Sequence, residues 1–336
     1  LDLLGTIFVA KHAHIVDLEE MARLKPVPRT VLWWTSANLV RLMQGVWGRV
    51  RVEMENYPAL TEPVLFAVNH THYFDFLPSR VAIWAQQGLK TVTFVKYRAF
   101  QNRLEGAYMK RLGNIPLGSR GYLLSADFAR VHGRKPELAE YRELRAHLDE
   151  GERLSDGPLQ ALLTQPRDML GLDFDPEQSS YREMMEGCYS KAMSNTLAHA
   201  QTVLDAGLSL HIYPQGLYST RLSQGRIGAV QIAAKLGVPI VPVGFSGMNK
   251  LFAPMGIIPK KKGVLHMRFG DPYRIERQEL HDFQAFEPRE EQRLRPVLEQ
   301  ETALLMDKIN DLLDPECARG EDLVGDGIQG VGRFFE

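Results

Sequence analysis

The sequence predicts an α/β fold, a mainly parallel central sheet flanked by helices, with an N-terminal helical element and a helical insertion. Three observations carry that expectation. Short apolar runs alternate with helix-length amphipathic segments over about 64–125 and 203–275, the rhythm of a parallel sheet covered on both faces. A charge-rich interval near 127–200 breaks the rhythm without apolar strand-like runs of its own. Residues 17–55 read as helical, first polar and then apolar and aromatic.

Taken in order, the N-terminal element (1–55) holds the run VLWWTSANLVRLMQGVWGRV. Leu32, Leu39, Leu42 and Val46 recur at helical spacing, and Trp33, Trp34 and Trp47 widen the stripe. Such a helix packs on a core or lies at a lipid interface. The α/β domain is expected over 56–280. VLFAV is its first strand, PSRVAIWAQQ a helix, TVTFVKY a second strand, RLEGAYMKRL a helix, and GNIPLGSR a short strand with turn residues. After the insertion, LSLHIYP, VPIVPVGFSG and VLHMRFGDPY read as strands and GRIGAVQIAAKLG as a helix. Met184, Met185 and Met193 are expected in the insertion's own core rather than lining a channel. The segment 281–336 reads as a long helix followed by a Gly-rich tail.

Composition excludes several classes. Forty Lys and Arg against forty-one Asp and Glu leave a charge of -1, so a nucleic-acid-coating protein is not expected. The two cysteines have no disulfide or zinc spacing, which favours a reducing compartment. LDLLGTIFVAKHAHIV lacks a basic leader and a small-residue cleavage pattern, so it does not read as a signal peptide. No run reaches the roughly 18–20 apolar residues of a membrane span.

The stretch VNHTHYFDF carries the chemistry. HTHYFD resembles a binuclear metal-binding run, but Phe74 stands where the aspartate belongs and Asp75 where the last histidine belongs. The remaining histidines form no ligand cluster in sequence, so no metal site is expected. The alternative is a pair. His70 and Asp75, mounted where a strand hands over to a helix, can lie side by side. The carboxylate then fixes the imidazole tautomer, leaving the other nitrogen to take a proton from a hydroxyl. Structural roles are the plainer reading for three neighbours: Asn69 as a helix cap, His72 as a pocket-wall or packed residue, and His211 as a packed strand residue. Gly216 reads as a turn glycine. The run of lysines at 260–262 reads as a solvated turn, or as a contact for phospholipid headgroups or the phosphates of CoA.

With these residues set out, the sequence resembles the PlsC-type glycerolipid acyltransferases, the glycerol-phosphate and lysophosphatidic-acid acyltransferases and their relatives. Their NHxxxxD block is matched by Asn69, His70 and Asp75. GNIPLGSR resembles the second block through Gly113, Ile115, Pro116 and Arg120, with the arginine one residue late. YPQGLYS (213–219) stands in order for the FPEGTRS block, and VPIVPVGFSG (238–247) for the apolar fourth block.

The resemblance implies transfer of a fatty acyl group from an acyl-CoA or acyl-carrier-protein thioester to a hydroxyl of a lipid-like or small acceptor. His70 would be the general base and Asp75 its orienting partner. Asn69, Gly113, Arg120, Gln215, Gly216 and Arg221 would be the substrate-binding set. No cofactor is implied beyond the thioester co-substrate. A peripheral place on the inner face of the cell membrane, or a cytoplasmic one, is expected. Two departures stand out: the family has glutamate where this chain has Gln215, and arginine where it has Tyr218. Either Arg120 or Arg221 supplies a displaced cation, or the acceptor carries no phosphate. An inactive lipid-binding scaffold of the same fold and a thioester hydrolase are the rival readings.

Overall fold

The computed structural model describes residues 17–27 and 50–320 apart from 152, 156, 254, 255 and 257, together with 31, 34, 35 and 38. Much of the aromatic N-terminal stripe, including Trp33 and Trp47, and the Gly-rich tail from 321 lie outside the described residues. Along the chain run α1 (Leu18–Ala22), β1 (Val50–Glu55), β2 (Leu65–Val68), α2 (Phe76–Gln87) and β3 (Thr91–Lys96). Then come α3 (Arg103–Arg111), β4 (Ile115–Leu117), α4 (Arg120–His132), α5 (Leu138–Glu150), α6 (Pro158–Thr164) and the strands β5 (Arg167–Met169) and β6 (Leu172–Phe174). The last are α7 (Tyr181–Asp205), β7 (Ser209–Ile212), α8 (Gly228–Leu236), β8 (Ile240–Ser246), β9 (Gly263–Phe269) and α9 (Pro288–Asn310). The described residues divide into two compact units, one holding those within 27–94 and 200–320, the other those within 17–26 and 95–199.

The larger unit is built on the sheet, in the order β1-β9-β8-β2-β7-β3. β2 is parallel to both β7 and β8, and β3 to β7, while β9 pairs antiparallel with β8 and carries β1 parallel to itself. The central strands LFAV, SLHI and IVPVGFS are buried at every residue. That is why they read as nearly continuous apolar runs, as strands covered on both faces do. Phe66, Val68, Val241, Val243, Phe245, Met267 and Phe269 form one core with Ala82 and Ile83 of α2. A second cluster joins Val230 of α8 to Leu294 and Leu298 of α9. Val50–Glu55 corrects the helical reading of residues 17–55. The alternation in VRVEME suits an edge strand, and the chain pairs it with β9 in register from Val50↔Gly263 to Glu55↔Arg268.

The smaller unit is mostly helical and takes in the 127–200 interval together with the stretch from Val95. Its helices have readable starts: Asn102 caps α3 through the Leu104 and Glu105 N–H groups, and Ser119 caps α4 through that of Tyr122. Its centre is a buried ion pair. Arg167 grips both oxygens of Asp127 at 3.0 and 2.7 Å, and the Tyr181 hydroxyl donates to the same carboxylate at 3.2 Å. Met185 and Met193 are core residues here, at 0% and 1% exposure. The β5–β6 hairpin was not legible in PRDMLGLDFD. Its turn places Leu170 and Gly171 at φ 57° and 96°, and only the glycine is a natural choice there.

Candidate active site

Parallel strands of this kind carry functional groups at their C-terminal ends. β2 ends at Val68, and the seven residues that follow lead into α2. Asn69 sits first in that turn, fully buried. Its Oδ1 accepts the Phe245 N–H at 2.6 Å and its Nδ2 donates to the Phe245 carbonyl at 2.9 Å. The amide thus ties the end of β2 to β8. It is a strand clamp rather than a helix cap.

His70 and Asp75 meet. The imidazole Nδ1 lies 3.0 Å from Asp75 Oδ2 and 2.9 Å from Oδ1, and Oδ2 also accepts the N–H groups of Thr71 and His72 at 2.9 and 3.2 Å. Asp75 is 0% exposed, while the His70 side chain keeps 17%. An acceptor-only carboxylate on Nδ1 makes that nitrogen the protonated one. Nε2 then carries the lone pair. It has no hydrogen-bond partner among the described residues and is open to solvent.

The block YPQGLYS seats the pair from the other side. Gln215 is buried, and its Oε1 accepts the backbone N–H of His70 at 2.8 Å. Its Nε2 donates to the hydroxyls of Ser219 and Ser223 at 2.9 and 3.0 Å, and Ser219 passes its own proton to the Arg221 carbonyl at 2.5 Å. The Ser219 N–H returns to the His70 carbonyl at 2.8 Å. Gln215 therefore spends its amide on the chain itself. Gly216, at φ 71°, closes the turn by donating to the Tyr213 carbonyl.

Rings enclose the imidazole. Tyr213 stacks on its face, centroids 4.2 Å apart and planes 20° from parallel, and Tyr218 meets it edge-on at 5.9 Å. Burial, and then the charge of Asp75, push the Tyr213 phenol well above its usual range, so it stays neutral. His211 lies tilted against Tyr213, ring centroids 4.9 Å apart. It is fully buried, and that burial, with Arg80 and His70 nearby, pushes its pKa down to about 3. Arg80, 5% exposed on α2, donates to the Thr91 carbonyl. His72 is a packed residue: its Nε2 lies 2.6 Å from the Ala253 carbonyl and its Nδ1 accepts from the Phe74 N–H.

The remaining residues singled out from the sequence are distributed more widely. Arg221 is exposed on the same loop as Gln215, its side chain against Gly320. Gly113 and Arg120 belong to the smaller unit. Gly113, at φ 71°, follows α3, while Arg120 opens α4 with its Nε on both oxygens of Glu186 and its guanidinium 3.9 Å from the Tyr189 ring. The N–H groups of His70, Thr71, His72, Phe74 and Asp75 are all engaged by the protein, so none of them is spare for an oxyanion. Among the described residues no cluster of His, Cys, Asp or Glu could hold a metal ion, and no helix is long and apolar enough to cross a membrane.

Sequence reasoning missed the clamp on Phe245, the Gln215 hub and the two tyrosines on His70. Only the tyrosines had a signal, as the flanks of the PQGL turn.

No family model matches the chain, and no curated protein matches it. Among solved structures it is similar to the crystal structure of the 1-acyl-sn-glycerophosphate (LPA) acyltransferase PlsC from Thermotoga maritima. Identity is 13%, the match covers 90% of this chain and 86% of that one, and the TM-score is 0.40. This is a distant likeness at low identity.

Proposed function

We propose that the chain is an acyltransferase that moves a fatty acyl group from an acyl-CoA or acyl-carrier-protein thioester to a hydroxyl of a lipid-like or small acceptor. One observation carries the reading: a buried carboxylate holds Nδ1 of a histidine whose Nε2 faces solvent. The order of the four sequence blocks supports it. Nε2 of His70 takes the acceptor's hydroxyl proton as its oxygen attacks the thioester carbonyl. The new C–O bond forms, the C–S bond breaks, and the proton passes from Nε2 to the departing sulfur. The products are an ester and a free thiol. Asp75 keeps the ring in one tautomer and favours the imidazolium in between. No serine or cysteine nucleophile is needed, because the acceptor attacks directly.

The test is product mass spectrometry on the purified protein. Acyl-CoA and acyl-carrier-protein donors are offered with phosphorylated and unphosphorylated alcohols, and His70→Ala is the control. The expected result is an acyl ester that is missing in the control. Free fatty acid formed at the same rate with and without acceptor would make the chain a hydrolase. Untouched donor would leave the inactive scaffold.

A further inference from the structure

The surroundings of Nε2 say what kind of alcohol it receives. A base must stand about 2.6–3.2 Å from the oxygen it deprotonates. Side chains within about 6 Å of the His70 ring therefore contact the first few atoms of the acceptor, before any remote part of it. At that radius stands Tyr218, partly exposed and edge-on to the imidazole. From there a file of partly exposed rings continues: Tyr73 edge-on to Tyr218 at 6.3 Å, Phe74 edge-on to Tyr73 at 4.8 Å, and Phe76 at 6.4 Å from Phe74. Asp75 is buried on the Nδ1 side of the imidazole, and the buried Arg80 donates to the Thr91 carbonyl. A phosphate held among these half-buried rings would lose hydration at a cost that their apolar faces do not offset.

We infer that, within the acyl transfer proposed above, the acceptor is an uncharged alcohol whose skeleton beside the hydroxyl is apolar and ring-bearing, recognised by Tyr218 with Tyr73 and Phe74. Edge-to-face contact with Tyr218 orients the ring, and the hydroxyl projects to Nε2 of His70. Tyr213 stays stacked on the imidazole face and holds the ring in place.

Acceptor-dependent thiol release from one acyl-CoA tests this, comparing 2-phenylethanol with glycerol 3-phosphate and lysophosphatidic acid. The variants are Tyr218→Phe, Tyr218→Ala, Tyr218→Arg and Tyr73→Leu, each checked for native circular dichroism. The wild type should favour 2-phenylethanol in kcat/KM. Tyr218→Phe should stay within about threefold, because the ring remains. Tyr218→Ala should raise the KM for this alcohol about tenfold with kcat little changed, the loss of one aromatic contact and its buried area. Tyr218→Arg should move preference toward the phosphorylated acceptors, and Tyr73→Leu should reproduce part of the Tyr218→Ala loss if that variant fails to fold. A wild type that prefers either phosphorylated acceptor overturns the inference while leaving acyl transfer intact. So does an acceptor ratio that neither Tyr218→Ala nor Tyr73→Leu changes. Absence of acceptor-dependent release with every alcohol overturns the acyl-transfer reading itself, and this inference with it.

Discussion

Gln215 holds the backbone of His70 across 145 residues of sequence, its Oε1 accepting the His70 N–H at 2.8 Å. The amide fits this post better than a carboxylate would. Ser219 accepts from Gln215 Nε2 and still donates to the Arg221 carbonyl. Opposite a glutamate, the same hydroxyl proton would have to serve both oxygens. Gln215→Glu should therefore lose one hydrogen bond, about 1 kcal/mol, and Gln215→Ala all three, about 2–3 kcal/mol. Urea denaturation of the two variants, which should rank them in that order below the wild type, is the check.

Asp75 makes its contacts to His70, Thr71 and His72 from a fully buried position, so Asp75→Asn turns an amide N–H toward a ring of donors. The rate of thioester consumption should fall by about 10²–10⁴. Because the two residues act as one device, the double variant His70→Ala/Asp75→Asn should be no slower than His70→Ala alone. Additive losses in initial rates would separate their roles.

His211 links the site to acid stability. Its pKa is pushed down to about 3 by burial, against an ordinary value of 6.5. Between those two values the unfolded chain binds the proton and the folded chain does not. Stability is therefore complete above about pH 6.5 and is lost as pH falls, by about 1.4 kcal/mol per pH unit from this one group. His211→Leu should flatten the acid limb of a stability-against-pH curve measured by urea melts at pH 4 to 7. It should cost little at neutral pH, since neither ring nitrogen has a hydrogen-bond partner. An unchanged limb would mean that other groups dominate.

Two glycines separate backbone from side-chain crowding. A Cβ on Gly244 in β8 would come within 2.5 Å of the Leu312 carbonyl oxygen, and one on Gly225 within 2.7 Å of the Met306 side chain. A methionine side chain can turn aside, whereas a main-chain carbonyl cannot without moving the segment after α9. Gly244→Ala should cost about 1–3 kcal/mol and Gly225→Ala clearly less, in thermal melts of both.

What the sequence made legible was local. Apolar strand runs and helix periods placed β2, β3, β7, β8, β9 and the long α9, and His70 and Asp75 were close enough in sequence for their pairing to be read. What escaped was non-local. Asn69 and Gln215 were read as substrate contacts, but their amides are spoken for by Phe245, His70, Ser219 and Ser223, partners that only the folded sheet brings near. Val50–Glu55 was read with the helical segment before it, since six residues of alternation beside a tryptophan-rich run are a weak signal for an edge strand. Arg120, chosen for its place after GNIPLG, is committed to Glu186 and Tyr189, an arrangement that helix spacing does not reveal.

The pairing of Leu65 with Leu210 and of Leu65 with Ile240 has a kinetic side. Neighbouring central strands are far apart along the chain, with the whole Val95–His199 unit emitted between β3 and β7. Closing such long loops must precede any reward from burial, so this sheet belongs among slow-forming, high-contact-order topologies. Until β7 docks, the β2 edge stands open, a strand of Leu, Phe, Ala and Val able to recruit a neighbouring molecule. The same stretch that mounts the histidine is thus the chain's exposed risk during synthesis, and refolding yield should fall as protein concentration rises.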